Sequence, residues 1–551
     1  MLEIFEVGKK LDISPDKLSP YGKWVAKIDL AAMKQDTSQQ RGKLVLVTAI
    51  TPTPAGEGKT VTTIGTSMGL NKLGQNAIAC LRQPSLGPVF GVKGGATGGG
   101  KSTVEPSQEI NLRFTGDIDA VASAHNLLAA MLDNHIFQGN SLGLDVHSIR
   151  WRRTVDMNER YLRNIVVGLG SKSDGIPRED GFIITAASEV MAALCMARGY
   201  SDLKERLGRI IVGYSKGGGD SRAIRASDLS AQGAMAAILK NAMQPNLAQT
   251  SEGTPAIIHG GPFGNIALGT CSITSILFAL AHSDYTVVEA GFASDLGAEK
   301  FFDVVSVVGG FNIDAVVVVA SARALVYQGG GGSKRTADEQ ATETLSQLNL
   351  GLDNLAKHIE NMRMFGLEPI IAINHFAADT DEEIQIIENF CKDQKVSFAL
   401  SDAFLEGGAG CVDLARKIVA ACENGSPLNS RVYSFQESIE TKIEKIVAKI
   451  YGGDGVQYTP EALKDIRRIE KLGLSDLPLC MAKTQLSISD DPTKLGRPRG
   501  FTCTVRSLDI AAGAGFIIVN LGDIVAMPGL PVHPAAERID IDENGTISGI
   551  T

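Results

Sequence analysis

The feature that most constrains the fold of this chain is a recurring unit, a short β-branched and apolar run that ends in a glycine-rich or polar turn. Seven such runs occupy residues 43–50, 209–219, 256–265, 285–295, 315–323, 370–379 and 396–404. Runs that are apolar on both faces are typical of buried parallel strands, and helical segments between them, such as residues 381–393, form the crossovers. The pattern predicts an α/β protein with a doubly wound, mostly parallel sheet, whose ligand site lies at the carboxyl ends of the strands.

Residues 95–102 match the phosphate-loop pattern G-x-x-x-x-G-K-[ST] letter for letter, but their surroundings do not suit a phosphate loop. Such a loop lies between a buried strand and the N-terminus of a helix, whose amide groups and dipole attract the anion. Pro84 and Pro88 interrupt the segment before this one, and Pro106 interrupts the segment after it. We therefore interpret GGATGGGKS as a decoy, and as a flexible loop that closes over a ligand.

Residues 51–60, TPTPAGEGKT, have the surroundings that a phosphate loop needs. They follow the buried run LVLVTAI and precede a segment with the pattern of a helix that ends at Gly74. Thr53 stands where the pattern has its first glycine, so an ordinary strand-to-helix turn stays open as the alternative. We predict that the residues of this loop bind ATP: Thr53, Pro54, Ala55, Gly56, Glu57, Gly58, Lys59 and Thr60.

Two side chains are predicted to be catalytic, and one is predicted to bind a metal ion. Lys59 is expected to neutralise the transferring phosphoryl group, and the Thr60 hydroxyl to bind Mg²⁺ together with ATP. Arg82, in the segment LRQPSLGP at another strand end, is expected to bind a carboxylate or a phosphoryl oxygen through its planar fork. A surface ion pair is the alternative for Arg82.

Charge and cysteine usage exclude several classes of protein. A net charge of -9 argues against a general nucleic-acid binder, which presents a basic face. The apolar runs are interrupted by charge well before the roughly 20 residues that span a bilayer, which predicts no membrane segment. The eight cysteines form no C-x-x-C pair. Reduced thiols and an N-terminus without an apolar run predict a cytoplasmic protein.

The domain organisation is inferred from changes of pattern along the chain. We expect a nucleotide-binding domain over residues 1–360, a second α/β domain over 361–482, and a small C-terminal domain over 483–551. A helix is predicted over residues 435–451, because isoleucine and valine side chains form one stripe that stops before Gly452.

Several motifs together resemble the formate–tetrahydrofolate ligase family. The likeness runs from about Tyr21 to the C-terminus, and is carried by TPTPAGEGKT, LR-PSLGP, F-G-KGGA-GGG, EINL-FTGDI, WRR--D-NER-LRNIV-GLG, IHGGPF-NIA, EAGF--DLGAEKF, AKTQ-S-S-D-TKLGRPR and MPGLP--PAAE-IDID. The resemblance implies a sheet like that of P-loop NTPases with two smaller appended domains, of which the one over residues 361–482 contributes the folate side. It also implies a reaction in two steps, in which ATP phosphorylates formate and tetrahydrofolate then accepts the formyl group from formyl phosphate. The products of this reaction are 10-formyltetrahydrofolate, ADP and phosphate. A homotetramer aided by a monovalent cation, K⁺ or NH₄⁺, is implied as well.

The chain departs from the family pattern mainly on the side that the resemblance assigns to formate and folate. Phe376 keeps an aromatic ring that is expected to stack on the pterin, and Phe404 stands in for a tryptophan. The substituted positions are Gln83, Lys101, Val326, Gln328, Ala377, Asp402, Phe404, Leu486 and Ile488. These changes leave two alternatives open: a diverged ligase with another acceptor, or an inactive or regulatory nucleotide-binding relative.

Other polar residues have both a functional and a structural interpretation. His259 ends a strand beside two glycines, and the sequence leaves its role open between function and core. Asp117 and Glu289 lie at expected strand ends, where an acid serves substrate or Mg²⁺, or stabilises structure. His125 and His135 are ten residues apart on an expected helix, so they do not share a metal-binding face and a core role is expected.

Overall fold

The computed structural model describes residues 1–33, 42–54, 56–92, 94–217, 222–332, 341–423, 429–522 and 525–550. Its strands are β1 (Leu18–Tyr21), β2 (Val25–Ile28), β3 (Lys43–Ala49), β4 (Ala77–Leu81), β5 (Gly98–Gly99), β6 (Ser102–Glu105), β7 (Arg153–Val155), β8 (Ile165–Val167), β9 (Arg178–Asp180), β10 (Phe182–Ile184), β11 (Ile211–Tyr214), β12 (Ala223–Arg225), β13 (Asn246–Thr250), β14 (Pro255–Ile258), β15 (Tyr285–Glu289), β16 (Ala315–Ala320), β17 (Ile370–Asn374), β18 (Ser397–Ser401), β19 (Gly455–Tyr458), β20 (Leu479–Ala482), β21 (Thr502–Val505), β22 (Ser507–Ala511), β23 (Phe516–Asn520), β24 (Asp540–Ile541) and β25 (Ile547–Ser548).

The helices complete the α/β pattern. They are α1 (Ile4–Lys10), α2 (Lys59–Lys72), α3 (Leu86–Phe90), α4 (Ser107–Asn111), α5 (Asp117–Phe137), α6 (Glu189–Met196), α7 (Tyr200–Arg209), α8 (Gln232–Ile238), α9 (Ile273–His282), α10 (Ser306–Gly309), α11 (Ala322–Gln328), α12 (Ala341–Met364), α13 (Asp381–Asp393), α14 (Ala403–Glu406), α15 (Val412–Glu423), α16 (Ile439–Ile446) and α17 (Pro460–Lys471). Within the described ranges, none of them is long and apolar enough to cross a membrane.

One large mixed sheet organises the molecule, with the strand order β1-β2-β13-β14-β4-β15-β3-β16-β17-β18. The strands from β14 to β18 in this order are parallel to one another, whereas the pairs β1–β2, β2–β13 and β13–β14 are antiparallel. The short hairpin of β5 and β6 joins this sheet through β13. The predicted α/β fold with a mostly parallel sheet is confirmed.

Both faces of the parallel strands are buried. In β3, Leu44 and Leu46 point into one hydrophobic cluster, whereas Val45 and Val47 point into another that contains residues of α2 and α15. Side chains of successive strand residues lie on opposite faces of a sheet, so helices must cover both faces when both carry apolar residues. Burial on both faces therefore explains why the sequence of β3 is apolar without interruption.

Six of the seven predicted runs form strands of the large sheet, and one does not. The run at 209–219 gives β11, which pairs antiparallel with β12 in a separate two-stranded sheet. Val212 of β11 packs in a cluster with residues of α5, α7 and α8, away from the main sheet. The prediction that this run belongs to the parallel sheet was wrong, because an apolar run indicates burial but not which core buries it.

Local capping explains where the predicted helices begin. The helix expected over 381–393 is α13, which opens with a reciprocal pair of hydrogen bonds between Thr380 and Glu383. The helix expected over 435–451 begins later, at α16, because the Ser438 hydroxyl accepts the Thr441 amide. It continues as a π-helical turn and ends before Gly452, as the sequence predicts.

The domain boundaries stay a prediction. The boundary expected at residue 360 falls inside α12, and the parallel strands β16 and β17 pair directly on either side of it.

Candidate functional site

The turn between β3 and α2 has the geometry expected of residues 51–60. Gly58 is the N-cap of α2 with φ 74°, a left-handed conformation that favours glycine. A Cβ at this position would also overlap Nδ2 of Asn374, so close packing independently requires glycine. Since Gly58 has no side chain, it caps none of the first amide groups of this 14-residue helix. A helix N-terminus with such a cap suits an anion.

Glu57 fixes the shape of this turn from inside. Its carboxylate accepts the Thr53 amide at 2.7 Å and the Ser321 hydroxyl at 3.0 Å, and its side chain is buried. The Asn374 amide donates to the Glu57 carbonyl at 3.2 Å. Glu57 therefore joins the turn to the ends of β16 and β17. Its carboxylate is directed at the protein, and a role in binding ATP stays a prediction for the loop residues Thr53, Pro54, Gly56, Glu57 and Gly58. Ala55 lies outside the described residues.

Thr60 and Arg82 both contact one carboxylate, that of Glu289. Lys59 and Thr60 are the first residues of α2 and are partly buried. The Thr60 hydroxyl donates to Glu289 at 2.7 Å, and the Arg82 guanidinium lies 3.4 Å from the other carboxylate oxygen of Glu289. Gly291 lies against Arg82, and a Cβ there would approach both terminal nitrogens of the guanidinium at 3.2 Å. The two predicted sites, the turn and Arg82, are therefore adjacent.

The start of the turn is tied to α12 by a buried histidine. The Thr51 amide donates to Nε2 of His358 at 2.8 Å, while Nδ1 lies 2.6 Å from the Ser294 hydroxyl. Burial lowers the pKa of His358 to about 4, so the ring is neutral at physiological pH. Nε2 must then accept from Thr51, and Nδ1 carries the proton. Asn354 also donates to the Thr51 hydroxyl, at 2.9 Å.

Gln83, the residue after Arg82, is buried. Its backbone amide donates to the Gly260 carbonyl at 2.7 Å, and this hydrogen bond joins the ends of β4 and β14. The side chain is buried, and among the described residues its amide oxygen has no hydrogen-bond partner. A polar atom buried in this way marks a position where a ligand donor can bind.

The glycine-rich segment 94–102 is no phosphate loop in this structure. Gly98 and Gly99 form β5, and the chain turns at Gly100 and Lys101 directly into β6. No helix starts at Lys101, as the interrupting prolines predicted. The hairpin instead packs on the first turns of α2, where a Cβ at Gly98 would meet Ile64. Its role as a loop that closes over a ligand stays a prediction.

The two predicted stacking residues emerge from neighbouring strands at the same sheet edge. Phe376 follows β17, is partly buried and lies under the Arg323 guanidinium, whose central carbon is 4.7 Å from the ring centre. Arg323 also donates to the Gly56 carbonyl at 2.9 Å, so it connects Phe376 with the turn. Phe404, in α14 after β18, is 48% exposed, and its carbonyl accepts the Lys101 amide at 2.8 Å. The stacking of folate on either ring stays a prediction.

Several of the residues that depart from the family pattern make contacts within the protein. Gln328 accepts the Gly496 amide at 2.9 Å, and Val326 and Ile488 are packed in the main core. Asp402 pairs with Nδ1 of His375 at 2.6 Å, which links the ends of β17 and β18. Ala377 is exposed and Leu486 is partly buried.

Four of the polar residues with open interpretations are structural. Both ring nitrogens of His259 are 2.6 Å from partners, the Ser272 hydroxyl and the Ala242 carbonyl, and burial lowers its pKa to about 4. His125 is buried, stacks on the indole of Trp151, and has a pKa lowered to about 4 by burial. Asp117 pairs with the buried Lys27 at 2.5 Å. Nε2 of His135 accepts the Leu142 amide at 3.2 Å.

Among the described residues, no group of three or more histidine, cysteine or acidic side chains is placed to hold a metal ion.

Sequence reasoning missed Arg323, Ser321, Asn374 and His358. The first three lie at or just after the ends of β16 and β17, so the rule that ligands bind at strand ends was the signal that could have found them. His358 lies within α12, and nothing in its local sequence distinguishes it from a core residue.

Together these observations describe an α/β protein in which a strand-to-helix turn, basic side chains and strand-end polar groups meet at one edge of a mostly parallel sheet. The family model of formate–tetrahydrofolate ligase matches residues 1–551, the full chain. The chain therefore belongs to the formate–tetrahydrofolate ligase family, a family of ligases that act on small molecules in one-carbon metabolism.

Proposed function

We propose that this protein joins formate to tetrahydrofolate at the expense of ATP, through enzyme-bound formyl phosphate. The observation that carries the proposal is that Thr60 and Arg82 meet at Glu289 beside the N-terminus of α2, which begins at Lys59, in a chain that belongs to the ligase family throughout its length. The products are 10-formyltetrahydrofolate, ADP and phosphate.

The turn supports the first step, the phosphorylation of formate. A formate oxygen attacks the γ-phosphorus of ATP, the bond to the β-phosphate oxygen breaks, and ADP leaves. The first amide groups of α2 and the Lys59 ammonium face the charge that spreads over the transferring phosphoryl oxygens. The Thr60 hydroxyl donates its proton to Glu289, so its oxygen lone pairs would hold Mg²⁺, and the ion would supply neutralisation of phosphate charge at this place.

Arg82 supports the binding of formate and then of formyl phosphate. Its guanidinium presents parallel N–H donors that match a carboxylate or a phosphoryl group. Gly291 leaves room directly beside it, since a side chain there would press against the guanidinium nitrogens. An anion that reaches Arg82 replaces Glu289, whose carboxylate lies at 3.4 Å and is therefore only loosely paired.

The ends of β17 and β18, farther along the same edge of the sheet, support the binding of the acceptor. The N10 lone pair attacks the carbonyl carbon of formyl phosphate, the bond to the phosphate oxygen breaks, and the N10 proton passes to solvent. Phe376 and Phe404 offer aromatic faces for the pterin, after two strands that pair in register. The Arg323 guanidinium above Phe376 stiffens that ring and connects it to the ATP turn.

The departures from the family pattern support a second candidate function, in which the formyl group passes to an acceptor other than tetrahydrofolate. The exposed Phe404 in place of a tryptophan is the specific observation in its favour, since a smaller ring gives less stacking area. A monovalent cation and a homotetrameric assembly remain part of the proposal through the family resemblance, and a cytoplasmic location through the cysteine usage of the sequence.

The test measures ADP release from purified protein with Mg²⁺ and ATP, in the presence and absence of formate and of tetrahydrofolate. We expect release to require both, with 10-formyltetrahydrofolate appearing in equal amount. Release with formate alone would favour a different acceptor. No response to formate under any condition would contradict ligase activity and support a regulatory relative.

A further inference from the structure

A large basic cavity lies outside the candidate site. Its volume is about 990 Å³, and it opens between the segment 145–152, the end of β11, helix α17 and strand β22. Two carboxylates, Asp145 and Asp509, line it against six cations: Arg150, Arg152, Lys464, Arg467, Arg468 and Lys471. The whole chain carries a net charge of -9, so the positive charge of this cavity is opposite in sign to the net charge of the protein.

Helix α17 contributes four of the six cations from one face. Lys464, Arg467, Arg468 and Lys471 have the spacing i, i+3, i+4 and i+7, which places all four on one side of a helix. Like charges at these separations repel one another and destabilise a helix by about 0.2–0.5 kcal/mol per pair. Such an arrangement is compatible with a stable helix when an anion neutralises the face.

The protein itself neutralises only part of this charge. Arg468 pairs with Asp465 at 2.7 Å and lies over the Tyr214 ring, and Arg150 pairs with Asp509 at 3.3 Å. Among the described residues, Lys464 and Arg467 form no ion pair, and both side chains are exposed to the cavity.

The segment 145–152 adds further donors to the lining of the cavity. The Arg152 guanidinium donates to the Arg163 carbonyl at 2.8 Å, which holds its orientation. His147, Ser215 and Asn265 add uncharged polar groups to the lining. Guanidinium groups from separate elements can each bind a separate anionic group of one ligand in a bidentate manner.

We infer that this cavity binds a compact polyanion, a small molecule with three or more phosphate or carboxylate groups. A single phosphate would leave most of a cavity of this volume unfilled, whereas a larger ligand can contact cations of both α17 and the segment 145–152. None of the lining residues belongs to the turn at 51–60 or to the Arg82 and Glu289 pair. The inference therefore does not depend on the proposed ligase activity.

The test titrates the full-length protein with inorganic triphosphate and, separately, with citrate, using isothermal calorimetry at low salt. The cavity variant is Lys464→Gln with Arg467→Gln, both at exposed positions where folding should be unaffected. The matched control is Lys9→Gln with Lys23→Gln, two exposed lysines outside the cavity that remove the same charge. Thermal melting checks that all three proteins are folded.

We expect one binding component that is shared by the natural protein and the control, and is at least about tenfold weaker in the cavity variant. Triphosphate that binds inside the turn at 51–60 contributes equally to all three proteins, so it does not obscure the difference. A response to triphosphate alone assigns phosphate chemistry, and a response to citrate alone assigns carboxylate chemistry. Identical isotherms for the cavity variant and the control, with both probes, would overturn the inference.

Discussion

At the residue scale, the candidate site contains side chains that are proposed to face a substrate and side chains that shape the site. Thr60 and Arg82 contact Glu289 beside the turn, whereas Glu57 is turned inward onto Thr53 and Ser321. Sequence reasoning grouped Glu57 with the ATP-binding residues because pattern alone cannot tell a carboxylate that faces a ligand from one that holds a loop. The difference lies in hydrogen bonds to a residue more than 260 positions away.

Two lysines offer a direct test of which glycine-rich segment binds ATP. Lys59→Ala should lower kcat at least about 100-fold, because it removes a cation that faces the transferring phosphoryl group. Lys101→Ala, in the β5–β6 hairpin, should leave the KM for ATP within about twofold, since no helix begins there. Steady-state ADP release with formate and tetrahydrofolate gives both constants. Equal losses in the two variants would contradict the assignment of the turn.

Phe376 tests the acceptor side. Phe376→Ala should weaken tetrahydrofolate binding by about tenfold, because an aromatic pair contributes roughly 0.5–1.5 kcal/mol beyond the area that it buries. The measurement is the Kd of tetrahydrofolate from fluorescence titration. Phe137→Ala is the control, since Phe137 is 46% exposed at the end of α5. Unchanged affinity in Phe376→Ala would remove this ring from the site.

At the element scale, the strand β3, the turn and the helix α2 form the unit on which the site depends. Its existence follows from local signals: a continuous apolar run, two glycines and a helical pattern that ends at Gly74. Those signals predicted β3 and α2 closely. They could not identify Asn374, which is hydrogen-bonded to Glu57 and packs against Gly58, because this contact depends on the crossover that brings β17 beside β16.

A matched pair of glycines tests the geometry of the turn. Gly58→Ala forces a side chain into a left-handed conformation and into Asn374, so the N-terminus of α2 must move. We expect at least about a tenfold loss of ATP affinity from the displaced amide groups. Gly116 has the same role at α5, with φ 82° and no atom near the added Cβ.

Gly116→Ala therefore carries a similar conformational cost of about 1 kcal/mol without the collision. It should lower the melting temperature slightly and leave the Kd for ATP unchanged. If Gly58→Ala binds ATP as tightly as Gly116→Ala does, the turn does not hold the phosphates.

At the scale of the whole molecule, the order of the strands in the sheet determines the order in which the candidate site residues follow one another. The sheet places β4, β15, β3, β16, β17 and β18 side by side, so Arg82, Glu289, the turn, Arg323, Phe376 and Phe404 follow one another along one edge. The sequence predicts the strands from apolar runs, but their lateral order comes from long crossovers and is not readable from any single run. The misassigned β11 has the same origin, because the choice between two cores is made by tertiary packing.

The buried histidines make the stability of the whole fold depend on pH. Burial lowers the pKa of His259 from 6.5 to about 4, so between these values the unfolded chain binds a proton that the folded chain does not. The stabilisation is complete above pH 6.5 and is lost as the pH falls towards 4. Buried acids such as Asp303, with a pKa raised to about 7 by burial, act in the opposite direction.

A comparison of variants isolates the contribution of His259. The difference in unfolding free energy between the natural protein and His259→Asn should shrink by roughly 3 kcal/mol between pH 7 and pH 4. Urea unfolding at a series of pH values provides the measurement. His533→Asn is the control, because this histidine is largely exposed and should not change the slope. A difference that is constant with pH would contradict a neutral, buried His259.

If Arg82 binds the anionic substrate as proposed, substrate binding is an ion-exchange reaction within the protein, because Glu289 lies between Thr60 and Arg82. The incoming anion then displaces a carboxylate that stays tethered nearby. That carboxylate then repels the phosphates unless a cation lies between them, so nucleotide affinity and divalent metal concentration should be strongly linked. In this protein the metal ion would act as a counter-ion that the binding step requires, before any chemistry begins.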